Sequence, residues 1–501
     1  MKKLFKYYFS RVIIISLLLF IQLAAILVCC CTAFFCFDRY FRIVLWLVSI
    51  AAAMRIASMP CSIPCRCGWI IGVLALPMVF IPLYTLYGRG GAIRKIRSYL
   101  KNNPLPKSTA HPENYAPPRI ARQFTALAET EGFSSYSNSV CVYLATGEAM
   151  FEKMKSILER AERYIFIEMF IISQGEMWNK TLEILKKKAA QGVSVYLLRD
   201  DLGTICLLPK DFDGQMKNIG IESRKFNSFS PTVTPDINYR DHRKIVVCDG
   251  LYAITGGANI ADEYINLISP YGYWKDSAVY LKGEGAMGLA DMFIQLWNMN
   301  GGKLDYNDFL PPKKPEIKAD GLVMPFGDYP SCTAGSSLKA FVNMINGAEK
   351  NVYATTPYLI PDPSLTSALC RAAENGVDVR IITPLIPDKK YIHLMTRANY
   401  LPLLRSGVKI YEYTPGFIHS KTLICDGNIC YIGSANLDYR SLYLHFESGV
   451  LTYGTNACKE LSEDFEELFK CSEEMSLNDK AVIKASKNPI YRFLRIFSGI
   501  L

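Results

Sequence analysis

From about residue 140 onward, short runs of apolar and β-branched residues alternate with stretches in which apolar positions recur every three or four residues. The first pattern predicts strands and the second amphipathic helices. EAMFEKMKSILERAE reads as a helix, RYIFIEMFII as a strand, TLEILKKKAAQ as a helix and GVSVYLLRD as a strand. The order then returns: helical SLKAFVNMINGAE, strand NVYATTPYLI, helical SLTSALCRAAEN and strand GVDVRIITP. Strands apolar on both faces and joined by helices predict βαβ units. The expected fold class is a duplicated α/β domain with two mixed, mostly parallel sheets, flanking helices and a pseudo-twofold site between the copies. The expected copies cover residues 136–310 and 311–501.

The first ninety residues follow a different pattern. Residues 12–37 contain no charge, a run longer than the roughly 20 residues that cross a hydrocarbon layer. It is too long for the apolar core of a cleaved signal peptide, and further apolar segments follow. Residues 69–87 form a second span of adequate length, with prolines that bilayer helices tolerate. Residues 43–54 are apolar but short, and are expected either to complete a third span or to be re-entrant. Lys2, Lys3, Lys6 and Arg11 precede the first run, and Arg89, Arg94, Lys95 and Arg97 follow the last. With an even number of crossings, both the N-terminus and the main domain are cytoplasmic. Residues 91–135 are expected to be a juxtamembrane linker. The closing NPIYRFLRIFSGIL is basic and amphipathic, either lying on a bilayer or packing on the domain.

Half of the residues are hydrophobic and a fifth are charged, and the formal net charge is +10. That balance suits nucleic acid, an anionic membrane or a phosphorylated substrate; the anchor tilts the choice towards lipid. Seven of the sixteen cysteines fall in the first seventy residues, and the others are scattered, several inside apolar runs. They read as small buried hydrophobes of a reducing compartment. Cys61, Cys65 and Cys67 have no second cluster at ligand spacing, so no metal site is expected there.

The candidate chemistry lies at the end of each copy. NYRDHRKIVVCDGLYAITGGANIADEY carries His242, Lys244, Asp249, Gly256, Gly257 and Asn259, and GFIHSKTLICDGNICYIGSANLDYRS carries His419, Lys421, Asp426, Gly433, Ser434 and Asn436. Measured from each histidine, the offsets are +2, +7, +14, +15 and +17 in both. A single His-x-Lys would pass for an ordinary strand end, but the duplication makes the pair one composite site. Each His and its Lys share one side of a strand. Two such units face to face form a cationic cleft that suits a phosphate ester. Interposed lysines would repel a metal ion, and no metal or other cofactor is expected.

One imidazole would attack phosphorus while the other protonates the departing alcohol. Lys244, Lys421, Asn259 and Asn436 would hold the non-bridging oxygens. A nucleophilic His needs an acceptor on its second nitrogen. Asp276 and Glu447, each about thirty residues after a motif, are the candidates. Asp249 and Asp426 belong to the motifs but precede turns, which favours a structural role.

These motifs resemble those of the phospholipase D superfamily, and the chain is similar nearly end to end to bacterial cardiolipin synthases. LYTLYGRG, FIEMFII, YRDHRK, TGGANIADEY, TTPYLIPD, GFIHSK and GSANLDYRS carry the resemblance in that order. It implies a metal-independent transfer of a phosphatidyl group between two phosphatidylglycerols, releasing glycerol, at a bacterial plasma membrane. It also implies His242 as nucleophile and His419 as acid and base. The chain departs from the pattern at Asp241 and His445, where Asn is more usual. Asp241 is expected to raise the pKa of His242, and His445 to compete as a proton carrier. The rival readings are a phosphodiesterase with water or another alcohol as acceptor, and a catalytically silent membrane scaffold.

Overall fold

The computed structural model describes residues 39–489 apart from 60, 89, 109, 229–237 and 312–316, together with a few isolated positions between 20 and 32. The expected first membrane span and most of the C-terminal amphipathic stretch lie outside the described residues.

The first repeat builds a seven-stranded sheet from β1 (Ser139–Leu144), β2 (Tyr164–Met169), β3 (Ser194–Asp200), β4 (Ile221–Phe226), β5 (Lys244–Cys248), β6 (Tyr252–Gly256) and β8 (Ala278–Gly283). Short β7 (Tyr273–Lys275) stands apart from it. The strand order is β1-β8-β6-β5-β2-β3-β4. The second repeat contributes β9 (Leu322–Asp328), β10 (Asn351–Thr355), β11 (Asp378–Pro384), β12 (Lys409–Tyr413), β13 (Gly416–Ile418), β14 (Thr422–Cys425), β15 (Ile429–Gly433), β16 (Glu447–Tyr453) and β17 (Ser472–Met475). Its order, β9-β16-β15-β14-β10-β11-β12-β17, repeats the first sheet strand for strand and adds β17 at the edge.

The sheets are mixed but not mostly parallel. In the first, only β2–β3 and β3–β4 run parallel, while β1–β8, β8–β6, β6–β5 and β5–β2 are antiparallel. The second sheet follows the same rule. The helical crossovers that demand parallel neighbours occur only early in each repeat. The motif strands are instead joined by tight Asp-Gly turns, and such hairpins impose antiparallel pairing. Asp249 and Gly250 take φ of 55° and 67°, and Asp426 and Gly427 take 54° and 69°. Asp and Gly are residues that enter this left-handed region readily.

One apolar core runs through both repeats. Between them lies the helix Gly285–Met299, buried from Gly285 to Trp297. A helix apolar nearly all round belongs in a protein interior. At Gly288 a Cβ would stand 3.0 Å from the Pro325 ring of β9, so the helix can approach that strand closely.

Towards the N-terminus the expected spans are revised. Arg39–Ala57, expected to be a short segment, is a continuous helix of 19 residues, long and apolar enough to cross a membrane. Its Ile43, Val44 and Leu47 are exposed on the protein. The segment expected as one span over 69–87 is instead broken. One helix covers Ile63–Ala75, Leu76 leaves helical geometry at φ −136° and ψ 68°, and Pro77–Leu83 resumes. Pro77 has no N–H to give and disfavours helical geometry in the residue before it.

Candidate active site

The two motif strands enter the site through contacts between the repeats. β13, just before His419, pairs in parallel with β7, just before Asp276, and the His419 N–H donates to the Lys275 carbonyl at 2.7 Å. In the symmetry-related position, the His242 N–H donates to the Phe446 carbonyl, just before Glu447, at 2.9 Å. Each histidine is therefore bound at its backbone to the chain segment that carries the other repeat's carboxylate.

The side chains follow. His242 Nδ1 lies 2.9 Å from Glu447 Oε2, and His419 Nδ1 lies 2.6 Å from Asp276 Oδ2. The two acids expected from the sequence meet the histidines crosswise: Asp276 of the first repeat faces His419, and Glu447 of the second faces His242. With Nδ1–H donated to a carboxylate, each ring keeps its Nε2 lone pair for chemistry. Glu447 also accepts from Ser434 Oγ at 2.5 Å. The equivalent residue of the first repeat is Gly257, where a Cβ would fall 2.1 Å from Asp276 Oδ1.

Burial pushes the His242 pKa well below its ordinary value, and the positive charges of Lys244 and Lys421 push the same way. Burial also brings His419 down to about 4, with Lys421 adding to the effect and Asp276 opposing it. The lysines are affected too. Burial lowers Lys244 to about 7, against the pull of Glu447, and lowers Lys421 to about 8, against the pull of Asp276. Burial alone would raise Asp276, but His419 and Lys421 outweigh it and hold the carboxyl below its usual range. Both histidines are thus neutral at pH 7, and a bound anion would further favour the charged lysines. Lys244 Nζ donates to the His242 carbonyl at 2.5 Å, and Lys421 Nζ to the carbonyl of His419.

The remaining motif residues divide. Asp249 accepts the backbone N–H groups of Glu162, Arg163 and Tyr164 at 2.8–2.9 Å, and Asp426 those of Glu349, Lys350 and Asn351. Both sit at the far end of the motif strand, where they hold the start of β2 or β10, so they do not belong with the reacting groups. Asn259 Oδ1 accepts from Ile171 N–H at 2.9 Å, and its amide donates to Tyr264 Oη at 2.7 Å, which leaves one amide hydrogen for another acceptor. Asn436 donates to Asp438 at 3.3 Å.

Asp241 does not raise the pKa of His242. Its side chain turns away and accepts from the Arg243 N–H at 3.2 Å, in a fully buried cluster with Glu168 and Arg243. Burial raises the Asp241 pKa to about 6 and that of Glu168 well above the carboxylate range. Arg243 donates to the Glu447 carbonyl at 3.1 Å and so holds the backbone of the residue whose carboxylate faces His242. The second repeat has hydroxyls in this place: Ser420 donates to Thr355 at 3.0 Å, and Thr355 pairs with Thr422 at 2.9 Å. Glu168 was legible as the one charge in the apolar run YIFIEM; the roles of Ser434 and Arg243 had no such signal.

His445 stands beside His242, ring centres 5.4 Å apart, with its Nδ1 3.5 Å from Glu447 Oε1. Arg440 Nε donates to its Nε2 at 3.3 Å, which leaves the proton on Nδ1, facing the carboxylate. Burial lowers its pKa to about 3, so it stays neutral. His242, His445 and Glu447 offer ligand atoms within 4.8 Å of one another. A proton on His445 Nδ1 and the neighbouring lysine charge both oppose a cation there. The His419 side is walled by aromatic rings, with Trp274 at 5.3 Å, Tyr264 at 5.6 Å and Phe417 at 5.7 Å.

A family model described as cardiolipin synthase, PLD-like domain, matches residues 341–469. A protein of Streptococcus mutans is 40% identical over 375 residues, which cover 75% of this chain and 81% of that one. A cardiolipin synthase of Geobacillus sp. is 33% identical over 414 residues, 80% of this chain and 82% of that one. A cardiolipin synthase of Alkalihalophilus pseudofirmus is 37% identical over 333 residues, 66% of each. Among solved structures, a phosphatidylserine synthase of Haemophilus influenzae superposes with a TM-score of 0.57 at 14% identity, covering 76% of this chain and all of that one. That last likeness concerns the fold. Paired histidines, crosswise carboxylates and an alignment that spans four-fifths of a synthase agree: the chain belongs to the cardiolipin synthase family of phosphatidyltransferases.

Proposed function

We propose that the protein joins two phosphatidylglycerols at a bacterial plasma membrane, forming cardiolipin and releasing glycerol. The observation that carries this reading is the pair of histidines, each bonded at Nδ1 to the other repeat's carboxylate and each followed two residues on by a buried lysine. The helix Arg39–Ala57 and the apolar run before it would anchor the chain, with the catalytic domain on the cytoplasmic side.

The bound phosphodiester sits between the histidines, and its negative charge favours protonated Lys244 and Lys421 and a protonated His419. His242 Nε2 attacks phosphorus; a P–N bond forms as the P–O bond to the headgroup glycerol breaks, and that oxygen takes the proton from His419 Nε2. Glycerol departs. The headgroup hydroxyl of a second phosphatidylglycerol then gives its proton to His419, and its oxygen attacks phosphorus. The P–N bond breaks and His242 returns to neutrality. Lys244, Lys421 and the spare amide hydrogens of Asn259 and Asn436 hold the non-bridging oxygens as charge builds on them. No group outside the chain is required.

The purified full chain, given phosphatidylglycerol labelled in its headgroup, should form one glycerol for each cardiolipin. Phosphatidic acid as the sole lipid product would replace this reading with a phosphodiesterase that uses water.

A further inference from the structure

Two loops, one from each repeat, flank the site and expose apolar side chains that the fold leaves uncovered. In the first repeat, Leu267 and Ile268 are 50% and 53% exposed. They follow Asn266, whose side chain clasps Trp274 N–H at 2.7 Å, and the Trp274 ring lies 5.3 Å from that of His419. In the second repeat, residues 385–391 read LIPDKKY, with Ile386 39% and Tyr391 59% exposed and Lys389 and Lys390 exposed beside them. This loop is pinned by Asp388, which accepts from Tyr358 Oη at 2.6 Å, while Lys389 Nζ stands 5.6 Å from the Tyr358 ring. The Lys389 charge reaches His242, and that of Asp388 reaches Lys421.

We propose that these two loops dock the rim of the cleft on an anionic bilayer, with Leu267, Ile268 and Ile386 entering the headgroup boundary. Lys389 and Lys390 would then face lipid phosphates, and Tyr391 would lie at the interface. The composition fits one occupant. Aliphatic tips lose water on insertion, tyrosine prefers the interface, and lysines gain from a negative surface. The helix that follows the apolar segments meets the second repeat near the turn that precedes His445. Arg97, in the helix Gly91–Asn102, donates to Thr333 at 3.0 Å, and the Ser331 N–H donates to the Tyr443 carbonyl at 2.8 Å, in the turn that carries Arg440. Docking would let a lipid headgroup rise into the cleft while its acyl chains stay in the bilayer. The inference rests on the lipid-substrate reading above.

The test compares the full-length parent with the double variant Ile268→Asp/Ile386→Asp on two substrates. One is long-chain phosphatidylglycerol in vesicles; the other is dibutyryl phosphatidylglycerol kept monomeric, with the enzyme in detergent. The variant should lose about tenfold on vesicles and stay within about twofold of the parent on the monomer, which also reports that it folds. Equal rates on vesicles, or equal losses on both substrates, would overturn the docking role. A defect seen in cells but not on vesicles would also overturn it and assign the loops to a protein partner. A parent that converts neither substrate would instead remove the lipid reading itself.

Discussion

Asp276 of the first repeat holds His419 of the second through a 2.6 Å contact between Oδ2 and Nδ1, and Glu447 returns the relation to His242 at 2.9 Å. Neither repeat contains a complete His–carboxylate pair. Asp276→Asn and Glu447→Gln keep the shape but no longer select the Nδ1–H tautomer. Each should lower kcat by about 10^3-fold with the fold intact. Losses below tenfold in steady-state assays would show that the carboxylates are not orienting groups.

The motif aspartates should behave differently. Asp249 and Asp426 each cap three backbone N–H groups at the far end of the strand. Asp249→Ala and Asp426→Ala should each cost about 1–3 kcal/mol in stability, less for the more exposed Asp426 cluster, since a charged acceptor of three backbone amides is lost. Activity per folded molecule should change little. Thermal melts paired with active-site titration would separate the two effects; a kcat collapse with an unchanged melt would place these residues in the chemistry.

His445 accepts from Arg440 and presents Nδ1 to Glu447, and it remains neutral across the working range. His445→Asn should retain turnover within about tenfold, because the reacting nitrogens are untouched. Loss of activity comparable to that of His242→Ala would make His445 a proton carrier after all.

The pH profile follows from the lysines. Burial brings Lys244 to about 7 and Lys421 to about 8 in the free enzyme, so their charges are present below those values and lost above them. The alkaline limb of kcat/KM, which reports the free enzyme, should therefore fall near pH 7–8. The limb of kcat should lie higher, because a bound phosphodiester anion favours the charged lysines. Lys244→Arg should remove part of the alkaline limb at reduced rate. Superimposable limbs for kcat and kcat/KM would contradict the assignment.

Asp291 lies inside the central helix with no partner for Oδ1, and burial raises its pKa from 3.8 to about 8. Between those values the folded chain keeps a proton that the unfolded chain has released. Its contribution to stability therefore weakens as pH rises towards 8. Asp291→Asn should melt close to the parent at about pH 4 and above it by a margin that grows up to about pH 8 and then levels off. A pH-independent difference would mean the carboxyl is not protonated in the fold.

Much of this was legible in the chain because duplication exposes itself. Matching offsets from His242 and His419 out to Asn259 and Asn436 marked one composite site, and the spacing to Asp276 and Glu447 supplied the orienting acids. What the sequence could not convey was which acid serves which histidine, since that depends on β7 and β13 pairing across the repeats. The sheets were read as mostly parallel because apolar strands between helices suggest it, whereas the Asp-Gly hairpins after Cys248 and Cys425 decide the motif strands. Asp241 was misread for a similar reason: adjacency to His242 in sequence says nothing about a side chain that folds back towards Glu168 and Arg243.

The most direct test is cardiolipin formation from labelled phosphatidylglycerol by the purified full chain and by its His242→Ala and His419→Ala variants. A single site shared between the repeats predicts robust product from the parent and a loss of at least about 10^4-fold in each variant. Near-parental turnover in either variant would contradict it.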